Sequence, residues 1–279
     1  MILGIMALFA LASGALLCGG TGAFADYTWL WMLPVGFVGA FILLLAAFFV
    51  FLVICCRLVD QSKPQEQDSP FYRALTYFTA KLALEILQVR VHTRGLEMLP
   101  KDGRILLVSN HINDLDPVVL MHYFKKKKPA FISKRENSSM FVVGKLMHKT
   151  MCQLINREND REALKTILKC VQLIKEDQVS IGVFPEGYTS MDGLLHPFRN
   201  GVFKIAQKAQ VPIVVCTLQN TQYIVRNALK LKPTDVHLHL LGVIPVEELK
   251  GVTAVEIGNR IHKMMADDLG PDLVLPESK

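Results

Sequence analysis

From Met1 to Cys56 the chain carries one charged side chain, Asp26. A stretch of that length without charge cannot furnish a soluble surface, so it must find an apolar surrounding. Asp26 divides it into two runs, one containing Ile2 to Cys18 and the other Val35 to Cys55, each near the ~20 residues that cross a bilayer. Both read as membrane helices. The first is shorter and contains Gly4, Ser13 and Gly14, which also suits a hairpin dipping into one leaflet. Ala23-Phe24-Ala25 resembles a signal-peptidase site, but the positively charged start of a signal peptide is absent. Arg57 and Lys63 follow the second run, so the positive-inside rule makes residues 1–56 a two-helix anchor in the cell membrane, with the rest facing the cytoplasm.

At 279 residues the chain has room for one sizeable domain beside this anchor. Its net charge is +6, and nearly all of its charged residues lie from Arg57 onward, which favours anionic partners. No nucleic-acid motif and no interleaving of basic with aromatic residues is present. Phosphorylated lipid, an acyl carrier and the membrane surface are the partners expected instead. Lys125 to Lys128 end a helical pattern, where they suit either a solvated helix terminus or anionic headgroups. The six cysteines are scattered, with no Cys-x-x-Cys spacing, so neither a disulfide framework nor a metal site is expected.

Residues 57–70 are polar and contain Lys63-Pro64-Gln65-Glu66-Gln67-Asp68, a linker pattern. Ser69-Pro70 then opens a helix whose apolar positions Phe71, Leu75, Phe78, Leu82 and Ile86 form one face, suited to packing on a sheet or lying on the membrane. Over residues 71–279 strand and helix patterns alternate. Strands are expected near Val89 to Val91, Ile105 to Ser109, Ala130 to Ser133, Cys152 to Ile155, Val179 to Val183, Ile213 to Thr217 and Val236 to Leu241. Helices are expected from Pro117, near Met140 to Met147, along Leu164, Ile167, Leu168, Val171 and Ile174, near Val202 to Lys208, and near Ala254 to Asp267. Such alternation predicts an α/β domain with a largely parallel or mixed sheet flanked by helices.

Two loops carry the chemistry. Asn110-His111-Ile112-Asn113-Asp114-Leu115-Asp116 follows one buried-strand pattern, and Phe184-Pro185-Glu186-Gly187 follows another. Loops at the carboxyl ends of strands are where α/β sheets bind ligands. His111 and Asp116 are five apart, about 140° on a continuous helix, so they meet only if a turn separates them. Asp116-Pro117 as helix cap and first helical residue would fold the carboxylate back toward the imidazole. Asp116 would then hold one ring nitrogen protonated and leave the other to take a proton from an alcohol. Asp114 is a second carboxylate in reach. Arg157, just after the fourth strand, should reach the same edge, where its guanidinium fork suits a phosphate, or else it pairs with nearby acids. Glu186 and Gly187 end a strand at a tight turn that permits close backbone approach. Lys134 and Arg199 are further cations for a phosphate or for the solvated surface.

Together these strings resemble the glycerolipid acyltransferases. His111 and Asp116 match the family's first motif, His-x-x-x-x-Asp, and Phe184 to Gly187 match its Phe-Pro-Glu-Gly motif unchanged. Lys134, Gly144 and Ile155-Asn156-Arg157 resemble the block between them. Phe198-Arg199-Asn200-Gly201 and Val211-Pro212-Ile213-Val214 resemble later signatures, so the likeness runs in order over roughly residues 75–220. The family usually has serine at Asn113 and Thr-Arg at Tyr188-Thr189, and often glycine near Met151 and proline at Val215.

The resemblance implies transfer of a fatty acyl group from acyl-CoA or acyl carrier protein to a lysophosphatidate in the membrane, yielding phosphatidate. His111 and Asp116 would be catalytic, and Arg157, Glu186, Gly187, Lys134 and Arg199 would bind the acceptor. No cofactor and no metal is implied, and no serine or cysteine nucleophile is needed, since the acceptor hydroxyl itself attacks the thioester. The alternatives are another acceptor, glycerol-3-phosphate or a different lysophospholipid, and a silent lipid-binding protein, which would not require a base.

Overall fold

The computed structural model describes residues 1–156, 159–190 and 192–275. The charge-free start forms helix α1 (Ile2–Thr21) and helix α2 (Trp29–Arg57), both long and apolar enough to cross a membrane. They run side by side. Gly14 and Gly36 meet at their crossing, where a side chain on Gly14 would press on the Leu33 carbonyl and the Phe37 amide.

The polar segment after α2 is fastened rather than loose. Gln61 donates to the carbonyls of Ser138 and Gly144 at 3.2 and 3.0 Å, and Lys145 donates to Val59 O at 2.9 Å. Asp68 forms a buried ion pair with Arg73 at 2.7 Å, and the same guanidinium donates to the carbonyls of Pro129 and Thr150. Arg73 lies on α3 (Pro70–Ile86), which starts at the expected Ser69-Pro70. The apolar stripe read for α3 splits: Leu75 and Leu82 are buried, whereas Phe71, Phe78 and Ile86 stay exposed, and Phe78 meets Phe48 of α2 at 5.0 Å between ring centres.

The domain then proceeds through β1 (Val89–Arg94), β2 (Leu106–Ser109), α4 (Asp116–Tyr123), β3 (Pro129–Lys134), α5 (Phe141–Lys149) and β4 (Gln153–Ile155). It continues as α6 (Asp160–Lys175), β5 (Ser180–Val183), α7 (Lys204–Ala209), β6 (Ile213–Gln219), α8 (Ile224–Ala228), β7 (Thr234–Ile244) and α9 (Ala254–Leu269). Seven strands make one sheet in the order β1-β7-β6-β2-β5-β3-β4. Every neighbouring pair is parallel except β6 with β7, so β1 and β7 run against the other five. The fold is a mixed α/β sheet flanked by helices, as the alternation of patterns predicts.

Strands β2 and β5 are wholly buried and β6 nearly so, which is why they read as unbroken apolar runs. On one face they pack against α6, α7 and α9 through residues such as Ile167, Ile205 and Ile261, and on the other against α3 and α4 through Leu84, Leu120 and Phe124. The helix read from Val202 starts as a 3₁₀ turn, Asn200–Phe203, before α7. Lys127, taken above as a solvated or lipid-facing cation, is buried and donates to the carbonyls of Asp102 and Gly103 at 2.9 and 3.1 Å. At Met151, where the family has glycine nearby, φ is +65°, the left-handed region that glycine enters most easily.

Candidate active site

Strands β6, β2, β5, β3 and β4 share one direction, so the loops after them open on one edge of the sheet. At that edge β2 and β6 separate, and Asn110 bridges the gap. Its amide donates to Leu218 O at 2.9 Å and its oxygen accepts from Leu218 N at 2.7 Å. This locks the start of the loop that carries His111.

Asp116 begins α4, one position earlier than expected, and its carboxylate folds back over that loop. Oδ2 lies 2.9 Å from His111 Nδ1 and accepts from the backbone amides of Ile112 and Asn113 at 2.7 and 2.8 Å. Oδ1 accepts from the Thr221 hydroxyl. Asp116 is fully buried, so these donors supply the solvation that water would otherwise provide. Asn113 accepts from Leu115 N at 3.0 Å through its side chain, closing a turn of the kind that short polar side chains make.

The imidazole is held from three sides. Asp116 takes Nδ1, and Phe184 stacks on the ring with centroids 4.1 Å apart at 18°. On the third side, Thr189 Oγ1 lies 3.0 Å from Nε2 and 3.2 Å from Asp114 Oδ1. Phe184 stacks in turn on Phe131 at 5.6 Å. That ring has room only because position 182 on β5 is glycine: a Cβ there would collide with Phe131. A backbone choice on β5 thus reaches the imidazole through two aromatic rings.

Glu186 differs from its expected place in the acceptor site. It is 1% exposed, and its two oxygens accept from the backbone amides of His111 and His196 at 2.7 and 3.1 Å. The carboxylate therefore latches the loop after β2 to the segment after β5. Burial pushes its pKa up to about 8, against the pull of those amides toward the charged form. Ser190 N donates to His111 O at 2.8 Å and closes the same junction.

Gly187 turns the chain with φ +84°, and the Arg199 side chain crosses directly over it. Both line a cleft of about 440 Å³ whose walls include Ile132, Ile155, Leu164, Ile167, Val183 and Phe184, with Lys204 also contributing. Its charged lining is two cations, Arg199 and Lys204, and one acid, Asp160, so the apolar cleft with its net positive edge suits an acyl chain carrying an anionic head. Lys134 is exposed at the end of β3, on the same edge. Arg157 lies outside the described residues. Among the described residues no group of three or more His, Cys, Asp or Glu has a geometry that could hold a metal ion.

Sequence reasoning found His111 and Asp116 but not Thr221, Phe131 or Gly182, and it noted Thr189 only as the replacement of an arginine. Thr221 carried a usable signal, because it follows β6 and so belongs to the same loop edge. Contacts through Gly182 have no local signature.

Residues 90–219 match the model of the acyltransferase family. A 1-acyl-sn-glycerol-3-phosphate acyltransferase of Borreliella burgdorferi is 26% identical over 61% of this chain and 67% of its own length. A chloroplastic protein of that name from Brassica napus is 35% identical over 54% of this chain and 44% of its own. The crystal structure of the 1-acyl-sn-glycerophosphate acyltransferase PlsC from Thermotoga maritima superimposes with a TM-score of 0.62 at 20% identity. That match covers 83% of this chain and 90% of the other, and it shows the common fold. Residues 90–219, which carry both loop motifs, are thus an acyltransferase-type domain, and the chain is similar to the 1-acyl-sn-glycerol-3-phosphate acyltransferases.

Proposed function

We propose that the protein transfers a fatty acyl group from acyl-CoA or acyl carrier protein to the free hydroxyl of 1-acyl-sn-glycerol-3-phosphate, forming phosphatidate. The observation that carries this reading is the contact between His111 Nδ1 and a wholly buried Asp116 at 2.9 Å, with the imidazole stacked on Phe184, a wall of the apolar cleft. With Nδ1 protonated and turned to Asp116, Nε2 is the basic atom. It takes the proton of the acceptor hydroxyl as that oxygen attacks the thioester carbonyl. The tetrahedral adduct collapses, the carbon–sulfur bond breaks, and the imidazolium returns the proton to the departing thiolate. Asp116 stabilises the imidazolium between these steps.

Arg157, Arg199 and Lys134 hold the acceptor's phosphate, with Gly187 allowing close approach to its backbone. Arg199 crosses Gly187, so it supplies a cation close to where relatives carry the arginine that is Thr189 here. Glu186 acts at one remove by holding the backbone of His111. The cleft takes an acyl chain. Residues 1–56 form the anchor, 57–70 the connecting segment and 71–279 the catalytic domain, in the cell membrane with the catalytic edge on the cytoplasmic side. Charge asymmetry supports that orientation, with Arg57 and Lys63 directly after the second apolar run.

The test is to incubate the purified full chain with labelled acyl-CoA or acyl carrier protein and, in parallel, with lysophosphatidate, glycerol-3-phosphate or lysophosphatidylcholine. Label in phosphatidate is the expected result. Transfer only to another acceptor would overturn the substrate, and no transfer to any would overturn the reading.

A further inference from the structure

No acidic residue occurs between Asp192 and Asp235. Near the end of that stretch, α8 and the turn after it carry Val225, Leu229 and Leu231 interleaved with Arg226, Lys230 and Lys232. Leu229 and Leu231 are 83% and 82% exposed, more than any other large apolar side chain among the described residues, those of α1 and α2 included. Val225, Leu229 and Leu231, all exposed within one short segment, are grouped rather than singly scattered, and grouped exposed apolar side chains mark contact sites.

These leucines do not sit on a fraying end. Lys230 N and Leu231 N donate to the carbonyls of Asn227 and Ala228, each at 2.9 Å, and Asn227 donates to the Thr234 hydroxyl at 3.1 Å. The turn is therefore built to hold them outward.

Its location identifies the occupant. Thr234 N donates to Gln88 O at 3.2 Å, which ties the far end of the turn to the end of α3. Three residues before Gln88, Glu85 accepts from the backbone amides of Ile2 and Leu3 at 3.0 and 2.8 Å, where α1 leaves the domain. The turn thus adjoins the root of the apolar helices. At its near end the same segment begins with Thr221, whose hydroxyl binds Asp116.

We propose that α8 and its turn are a second bilayer contact: Leu229 and Leu231 enter the headgroup boundary, and Arg226, Lys230 and Lys232 rest on anionic phospholipid headgroups. Apolar tips flanked by cations fit such a surface, since the side chains gain both apolar burial and attraction to the negative leaflet. The inference rests on the membrane setting of the proposed function and adds how the catalytic edge is kept facing the bilayer. Two attachment points, the helix pair and this turn, hold that edge against rotation.

The experiment places an environment-sensitive fluorophore at Leu229→Cys in the full chain, whose own cysteines are buried or half-buried. The protein is reconstituted in vesicles of phosphatidylcholine with or without phosphatidylglycerol. Blue-shifted emission, quenched by lipid spin-labelled near the headgroup and stronger with phosphatidylglycerol, is the expected result. A water-like emission in both vesicle types overturns the proposal, as does a shift that follows protein rather than lipid concentration, which would mark contact between copies of the chain. Separately, Leu229→Glu with Leu231→Glu should lower turnover on lysophosphatidate in anionic vesicles by about tenfold while leaving turnover in detergent micelles within about twofold. Equal loss in both would mean a structural role and also overturn it. The fluorophore reports depth whatever the acceptor is, so failure of the substrate assignment and failure of this contact are told apart.

Discussion

The Thr189 hydroxyl lies 3.0 Å from His111 Nε2, the ring atom that Asp116 does not hold. It occupies the position from which an acceptor hydroxyl would give up its proton. One hydroxyl hydrogen cannot serve both Nε2 and Asp114, 3.2 Å away, so donation to Asp114 leaves Nε2 free for the proposed proton abstraction. Admitting the acceptor then costs one neutral hydrogen bond, about 0.5–1.5 kcal/mol. We predict that Thr189→Val, which keeps the shape and removes the hydroxyl, lowers the acceptor KM by roughly 2- to 10-fold. An unchanged or raised KM in steady-state assays would count against this placeholder role.

Asp116→Asn isolates the charge. An asparagine oxygen at the Oδ2 position can still accept from His111, Ile112 and Asn113, and its amide can donate to Thr221. The variant should fold and keep the imidazole in place, yet lose the anion proposed to stabilise the imidazolium. Turnover is predicted to fall by about 10- to 100-fold, less than on removing the imidazole. Asp116→Ala should be worse for stability, by about 3 kcal/mol, because it strands buried amides. Paired thermal melts and turnover measurements separate the two effects.

Gly182→Ala tests the aromatic stack. The added methyl group meets the Phe131 ring, and a shift of that ring presses on Phe184 and through it on the imidazole. Overpacking of this kind costs about 1–3 kcal/mol, and turnover should fall together with the melting temperature. Phe131→Leu in the same chain should recover much of both. Failure to recover activity would break the proposed link between β5 and the base.

Glu186 makes stability depend on pH. Its folded pKa is about 8 against an ordinary 4.5, so the folded form retains a proton that the unfolded chain releases earlier. Stability from this group is present below the unfolded value and is lost as pH rises through the folded one, on the order of a few kcal/mol in all. Glu186→Gln cannot titrate. Its melting temperature should start lower, because one backbone amide then faces an NH₂ group, but it should fall less than the wild type's between about pH 5 and 8. Parallel slopes in melts across that range would contradict the assignment.

The central strands were legible because burial on both faces demands continuous apolar residues, as in Ile105 to Val108 and Ile213 to Cys216. Orientation was not: nothing in the apolar pattern of β7 distinguishes a strand antiparallel to β6 from a parallel one. Helix α8 escaped notice because five residues are too few to show a helical period. The His111 and Asp116 pair was legible because its turn is local and Pro117 marks the helix start. Thr189 and Thr221 meet that pair from loops after β5 and β6, and such long-range meetings depend on strand order, which periodicity does not encode. Lys127 was misread for a similar reason, since its carbonyl partners lie in the turn at Asp102 and Gly103.

The most direct measurement is phosphatidate formation by folded His111→Ala protein in bilayers, with labelled acyl donor and lysophosphatidate. The account predicts a turnover at least ~100-fold below wild type, at an unchanged melting temperature. Wild-type turnover from the folded variant would contradict it.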